Sequence, residues 1–449
     1  MIISGNHNSL DDTLKLEDTK NRWQQRAHNY KIPPKTTDLL LRFEAENYNS
    51  FVWLTKPSVK IDGKEYLSEP VSIPNTVQEE NQAANNPLLN TTFAAHSSTK
   101  IVAFGETIHY TNELIAKILA SMWSMVKSGN TKLLLFELSP AECYLANLYV
   151  NGTIDKNEYD RQTYIAKHAD YHTSHLLLSK NGFLDSIRYY NSKNIDSSIT
   201  IAGIDLDMPD KELLQNIFNS FPDTCLTTLK AKINSCQKTS IFDTLNPQKA
   251  IITALNRINI NNCSSFWSSY LVSTSRNIYN LGTDLDDRDY KMFANAKLLI
   301  ERFSRGKQVA IYAHWCHATT KKNTAPWVAV RTPLGYHLSK EFGSAYRTIA
   351  LCGGSGIGVS MNSNGNPYNY KIEKPEKGSL ENYLYQYKSP ECYIDFTTAS
   401  IPSSVKYIRI LGNTSRIGQF IPIEEAGIPN AVIFVRDITP IKTYEYIDN

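Results

Sequence analysis

Short apolar runs alternate with amphipathic segments along most of the chain. Residues 101–104 form one apolar run and residues 133–136 another, and each is typical of a buried strand. Between them, residues 112–127 carry apolar side chains at helical spacing, and Thr111 or Asn112 can cap that helix. A strand, a helix and a second strand within ~35 residues predict a βαβ unit with parallel strands.

The same alternation continues toward the C-terminus. Segments with helical spacing precede several further apolar runs, while residues 140–195 and 210–300 show no strand pattern. The further runs are residues 199–204, 309–313, 348–351 and 431–435. The sequence therefore predicts an α/β fold with a mainly parallel central sheet flanked by helices, and a helical lid or excursion at about 208–300.

The first 97 residues have a different composition. They mix Asn, Thr, Lys, Glu and Pro, and their apolar clusters, such as residues 51–54, are short. We therefore predict two parts of the chain: an N-terminal extension of uncertain fold, residues 1–97, and an α/β domain, residues 98–449.

Charge and composition narrow the function. The 449 residues include 47 basic and 44 acidic side chains, for a net charge of +3, which gives no support for a nucleic-acid partner. Neither an apolar run of ~18 residues nor a secretory leader pattern is present. Seven scattered cysteines without a CxxC motif favour reduced thiols over a disulfide framework. We expect a cytoplasmic protein with a small-molecule substrate, and leave export by a signal-less route and the oligomeric state open.

Titratable side chains follow the apolar runs, where each predicted strand ends. Because ligands of open α/β sheets bind outside the carboxyl ends of the strands, these side chains are candidates for one site. Each alone has an ordinary structural explanation, such as an ion pair or a hydrogen-bonded loop histidine, but together they favour a functional site. The candidates, in chain order, are Glu106, His109, Glu137, Asp205, Asp207, His314 and His317.

Several segments around these candidate residues resemble elements of the erythromycin esterase family. Gly105-Glu106-Thr107-Ile108-His109 is similar to its GExxH element, and residues 203–205 are similar to its GFD element. Residues 288–295, followed by Ala313-His314-Trp315-Cys316-His317, resemble its RDxxMxxN helix and AHxxH strand end. The resemblance spans about 98–440 in the family's order. Two elements depart from it: Ile118, with Lys117 beside it, takes the place of an Arg, and Trp315 and Cys316 replace small or amide residues.

The resemblance implies hydrolysis of an ester, typically a macrolactone, by activated water without a required cofactor. His109 is the candidate base, because a neutral imidazole with a pKa near ~6.5 accepts a proton at pH 7. The carboxylates of Glu106 and Glu137 can orient the base or the water. The imidazoles of His314 and His317 can stabilise the oxyanion or protonate the leaving group.

Four residues are candidates for substrate binding, and one for covalent chemistry. Lys117 can partly replace the missing Arg, while Asp205, Asp207 and Ser355 lie at strand ends that can contact the substrate. Cys316 is the single candidate for a covalent nucleophile at these strand ends.

Two alternatives remain open from the sequence. Glu106, His109, His314 and His317 are also plausible ligands of a divalent metal that would activate the water. The departures from the family pattern also allow a divergent effector, toxin or biosynthetic enzyme that acts on a non-macrolide substrate.

Overall fold

Residues 1–68 and residues 69–449 form two separate units. The first unit contains four short strands, numbered here in chain order, in two antiparallel pairs: β1 (Ile2–Ser4) with β2 (Leu40–Arg42), and β3 (Lys60–Ile61) with β4 (Lys64–Glu65). Beyond the short strands that precede residue 80, the computed structural model describes residues 99–167, 182–206, 211–221, 223, 226, 227, 229–231, 253–279, 285–322, 330–361, 367–387, 389–411 and 420–441.

A nine-stranded sheet runs through the second unit. Its order is β5-β12-β15-β10-β6-β9-β7-β8, with β11 paired to β10. The strands are β5 (Gln78–Glu79), β6 (Ile101–Glu106), β7 (Thr131–Phe136), β8 (Thr200–Gly203), β9 (Gln308–His314), β10 (Tyr346–Met361), β11 (Pro367–Ile372), β12 (Glu391–Asp395) and β15 (Ala431–Ile438). A separate antiparallel pair joins β13 (Tyr407–Arg409) to β14 (Phe420–Pro422).

Six neighbouring strands of the sheet are parallel, from β15 through β10, β6, β9 and β7 to β8. Strands β5, β11 and β12 each pair antiparallel with a neighbour. The predicted α/β fold with a mainly parallel sheet is therefore confirmed. The boundary at residue 97 stays a prediction, although β5, within the predicted extension, pairs with β12 of this sheet.

Helices flank the sheet and connect its strands. They are α1 (Asn112–Lys127), α2 (Pro140–Val150), α3 (Lys156–Lys167), α4 (Phe183–Lys193), α5 (Lys211–Ser220), α6 (Phe266–Tyr279), α7 (Leu285–Phe303), α8 (Trp315–Ala318), α9 (Leu334–Phe342), α10 (Leu380–Tyr385) and α11 (Ile423–Ala426). Three further turns are 3-10 helices, Ile195–Ser197, Ile260–Asn262 and Gly343–Ala345. Within the described residues, no helix has both the length and the apolar character needed to cross a membrane.

Strand β6 lies at the centre of the sheet because its side chains are apolar on both faces. Residues 101–106 are all buried, as expected for a parallel strand covered by helices on both sides. The strand continues through Gly105, where the apolar run alone predicted its end. A Cβ atom there would lie 2.7 Å from Cε3 of Trp315, so the missing side chain admits the indole ring against the strand.

Cysteine pairing differs from the expectation in one place. Four described cysteines form no disulfide, and three of them, Cys143, Cys352 and Cys392, are buried. Cys263, however, is disulfide-bonded, so the expectation of reduced thiols does not hold for this residue. Sequence spacing could not show this, because a disulfide depends on the distance between sulfur atoms in the fold.

Candidate active site

Six of the candidate residues meet at the carboxyl edge of the parallel strands: Glu106, His109, Glu137, Asp205, His314 and His317. Glu106 is the last residue of β6 and lies in register with His314, the last residue of β9. Glu137 follows β7, on the other side of β9, and its amide donates a hydrogen bond to the carbonyl of Tyr312 at 2.8 Å. Asp205 follows β8, the next strand beyond β7. The strand-end rule thus gathered side chains from four adjacent strands.

Glu106 and His109 form the first pair of the site. Oε1 of Glu106 lies 2.6 Å from Nδ1 of His109, and the hydroxyl of Tyr312 donates to Oε2 of Glu106 at 2.7 Å. The Glu106 side chain is 5% exposed, whereas that of His109 is 20% exposed. The imidazole therefore lies at the surface of the site, and the carboxyl group lies behind it.

Burial favours the uncharged forms of this pair. It raises the pKa of Glu106 to about 8, although the hydrogen bond from Tyr312 acts in the opposite direction. Burial, together with the positive charges of His317 and Arg288, lowers the pKa of His109 to about 3. At neutral pH the carboxyl group of Glu106 is consequently protonated and donates to Nδ1 of His109, the ring proton of His109 lies on Nε2, and the pair carries no net charge.

His314 connects the two sides of the site. Its backbone N–H donates to Oε2 of Glu137 at 2.6 Å, and its ring centroid lies 4.1 Å from that of His109. Nδ1 lies 2.9 Å from Sγ of Cys316. Burial and the neighbouring His109 lower the pKa of His314, while Cys316 raises it in part. The ring is therefore neutral, and among the described residues its buried Nε2 has no hydrogen-bond partner.

His317 lies between two carboxylates. Nδ1 is 2.8 Å from Oδ1 of Asp289, and Nε2 is 3.2 Å from Oε1 of Glu137. Burial opposes a charge on this ring, but Asp289, Cys316 and Glu137 together raise its pKa well above the usual range. His317 is therefore a buried imidazolium with both ring nitrogens bonded to carboxylates.

Arg288 completes the charged side of the site. Its guanidinium binds Asp205 through two hydrogen bonds, Nε to Oδ1 at 2.8 Å and Nη2 to Oδ2 at 2.6 Å, and Nη2 lies 3.5 Å from Glu137. Burial opposes the ionisation of Asp205, but Arg288 lowers its pKa. Burial raises the pKa of Glu137 to about 7, against the attraction of His317 and Arg288.

Sequence reasoning missed two residues of this site, Arg288 and Asp289. Both lie on α7, so a search of strand ends does not find them, and Asp289 is completely buried. It also accepts a hydrogen bond from the amide of Leu334 at the start of α9. The signal that could have found them is the adjacent Arg-Asp pair in the segment that resembles the family's RDxxMxxN helix.

The candidate substrate-binding residues lie in different places. Asp205 is bonded to Arg288 within the site. The ammonium group of Lys117 forms an ion pair with Glu391 on β12, three strands from β6 in the sheet order. Ser355 lies on β10, 3.4 Å from the hydroxyl of Tyr385. Asp207 lies outside the described residues.

The side chains proposed as metal ligands are bonded to neighbouring side chains. Nδ1 of His109 contacts Glu106, and both ring nitrogens of His317 contact carboxylates. Among the residues that the structure describes, no group of three or more His, Cys, Asp and Glu side chains is arranged to hold a metal ion. This donor set therefore does not form a ready coordination site.

One family model matches part of the chain: residues 262–425 match the model described as erythromycin esterase. The resemblance to the erythromycin esterase family is confirmed. The match covers Arg288, Asp289, His314 and His317 and ends before the C-terminal strand β15. No curated protein matches the chain significantly.

Solved structures extend the likeness in fold to most of the chain. A Bacillus cereus protein covers 80% of this chain and 94% of its own length at 17% identity, with a TM-score of 0.60. A succinoglycan biosynthesis protein covers 81% and 95% at 13% identity, with a TM-score of 0.63. The erythromycin esterase EreC, as a histidine-to-asparagine mutant in its open conformation, covers 79% and 93% at 16% identity, with a TM-score of 0.54. At these identities the likeness shows the fold alone.

Proposed function

We propose that this protein is a hydrolase that cleaves an ester or lactone bond in a small molecule, with water activated by His109. One observation carries the proposal: Nδ1 of His109 lies 2.6 Å from Glu106, while Nε2 has no hydrogen-bond partner among the described residues. A histidine held through one nitrogen by a carboxyl group, with the other nitrogen open to the site, is the arrangement of a general base.

Loss of one proton from the pair produces the active base. The proton that remains then lies on Nδ1 of His109 and is donated to the carboxylate of Glu106, so Nε2 is free to take a proton from water. Because the raised pKa of Glu106 is about 8, the base form gains population as the pH rises from 7 to 8. General-base help of this kind contributes ~10²–10⁴-fold to a rate.

The charged residues His317 and Glu137 hold the neutral His314 in place beside His109. His317 has both ring nitrogens occupied, so its role is to hold Glu137 and to supply a fixed positive charge, instead of donating a proton to the substrate. Glu137 in turn accepts a hydrogen bond from the backbone N–H of His314. The ring of His314 faces the ring of His109. The buried Nε2 of His314 is then the group that remains to contact a substrate oxygen.

A second candidate is hydrolysis of an ester on a non-macrolide substrate. Lys117, which stands beside the position of the family's Arg, is engaged by Glu391 instead of facing His109. The recognition of the substrate therefore differs from the family pattern at this place. The fold neighbour named for succinoglycan biosynthesis adds acylated saccharides to the classes worth testing.

A hydrolysis screen with matched histidine variants tests the proposal. The substrates are erythromycin, small lactones, p-nitrophenyl acetate and acylated saccharides, and the variants are His109→Ala and His337→Ala. His337 lies on α9 and stacks on Phe293, outside the hydrogen bonds of the site. We expect His109→Ala to lose about 10³-fold in kcat, within the range of general-base catalysis, and His337→Ala to lose less than threefold. Equal turnover by wild type and His109→Ala on the best substrate would overturn the proposal.

Chelation separates this mechanism from the metal alternative. We expect the protein to keep its turnover after treatment with EDTA and removal of the chelator, because the imidazoles and carboxylates bind one another. A loss of activity that Zn²⁺ or Mn²⁺ restores would instead support metal-activated water. The metal content of the treated protein is measured in the same samples.

A further inference from the structure

Cys316 differs from the other described cysteines that form no disulfide. Cys143, Cys352 and Cys392 are buried, whereas Cys316 is partly exposed. It lies in the short helix α8, directly after β9, so its side chain belongs to the same sheet edge as His314 and His317. The thiol is therefore placed within the candidate active site and is accessible there.

The thiol is paired with a base. Sγ of Cys316 lies 2.9 Å from Nδ1 of His314. The backbone N–H of Cys316 also points at this nitrogen, at 3.5 Å, as part of the cap of α8. Because an N–H donates to Nδ1, that nitrogen acts as an acceptor, and the thiol S–H is its second donor. The ring proton of neutral His314 is then on Nε2.

The opposite nitrogen of His314 indicates a ligand. Nε2 is buried and has no hydrogen-bond partner among the described residues, although His314 is only 3% exposed. A buried N–H donor without a partner costs free energy that a substrate oxygen could recover.

We propose that Cys316 is a catalytic nucleophile and that hydrolysis passes through a thioester on its sulfur. This inference rests on the proposed function, since it describes how the same site cleaves an ester. Nucleophile, base and a third orienting group recur in covalent hydrolases. Here they are Cys316, His314 and Glu137, which holds the backbone of His314.

The atoms balance over two steps. In the first, the S–H proton passes to Nδ1 of His314, the C–S bond forms, and the acyl C–O bond breaks. The leaving alkoxide takes the Nε2 proton of His314 and departs as the alcohol. In the second, the Glu106–His109 pair takes a proton from water, hydroxide attacks the thioester carbon, and the C–S bond breaks. The proton returns to sulfur through His109 and His314, whose ring centroids are 4.1 Å apart, and the acid is released.

Acylation of the full-length protein by p-nitrophenyl acetate tests the thioester directly. After a rapid acid quench, we expect one acetyl group on the peptide that contains Cys316, removable by neutral hydroxylamine. We expect the adduct to accumulate in His109→Ala, because that variant loses the base for the second step. No acetyl group is expected on this peptide in Cys316→Ser or Cys316→Ala. Absence of acetyl on Cys316 in both wild type and His109→Ala overturns the inference.

Turnover distinguishes this failure from failure of the proposed function. We expect Cys316→Ala and Cys316→Ser to lose at least about 100-fold in kcat/KM, as removal of a covalent nucleophile does. Cys143→Ala is the matched control and keeps its turnover within threefold. If His109→Ala is inactive while Cys316→Ala keeps wild-type turnover, the water mechanism stands and the nucleophile assignment is wrong.

Discussion

The site contains two histidines that are bonded to carboxyl groups, and the two differ in charge: His109 is neutral, whereas His317 is positively charged. On the β6 side, Glu106 bonds His109, and burial lowers the pKa of that histidine to about 3. On the β9 side, Asp289 and Glu137 bond His317 and hold its pKa well above the usual range. One carboxyl group does not offset the desolvation of an imidazolium, whereas two do.

This difference in charge gives His109 and His317 different roles. The neutral His109 keeps one nitrogen available and 20% of its side chain exposed, as a group that exchanges protons needs. Both ring nitrogens of the charged His317 are bonded to carboxylates, and its side chain is 6% exposed. These features suit a fixed structural charge. Three experiments test this comparison, in order of decreasing effect.

Removal of His317 has the largest expected effect on stability. His317→Ala leaves the fully buried Asp289 without its imidazolium partner, so we expect the free energy of unfolding to fall by about 3–5 kcal/mol. His109→Ala leaves a protonated Glu106 still bonded to Tyr312, and we expect less than half of that loss. Urea unfolding followed by fluorescence measures both, with His337→Ala as the control. Similar losses for His109→Ala and His317→Ala would remove the contrast between the two sides.

The second-largest effect is expected from neutralisation of Glu137. Glu137→Gln keeps the shape of the side chain but removes the charge that binds His317 and orients His314. We expect kcat to fall at least ~10²-fold. Glu341→Gln, which removes a surface partner of Lys297, is the matched control with unchanged kinetics. Unchanged kinetics of Glu137→Gln would reduce the residue to a structural partner.

The pH dependence of stability shows the smallest effect. The folded pKa of Glu106 is about 8, above its ordinary value of 4.5, so the folded protein holds a proton that the unfolded chain has lost. Its contribution to stability is complete below pH 4.5 and is lost as the pH rises through 8. We expect the melting temperature of Glu106→Gln to fall less than that of wild type between pH 6.5 and 8. Parallel curves would show that Glu106 is already ionised at neutral pH.

Much of the fold could be predicted because apolar runs must be buried. The helix predicted over residues 112–127 has those bounds in the structure, and the run at residues 133–136 lies within β7. The boundaries that shifted have tertiary causes. Strand β6 continues through Gly105 because that residue pairs with Ala350 of β10 and Ala313 of β9, and no local pattern records those pairings.

The sequence by itself determined which side chains gather at one edge of the sheet. Parallel strands place their carboxyl ends together, so Glu106, Glu137 and His314 were predicted at the same edge once the strands were identified. The strand order, in which β9 lies between β6 and β7, came from the tertiary structure. Only the tertiary structure decided their partners, because a hydrogen bond depends on positions far apart in the chain. Asp289 reaches His317 from the helix α7, and Tyr312 reaches Glu106 from β9. The charge of each histidine follows from those partners and from burial, since one residue type becomes neutral or positive according to its surroundings.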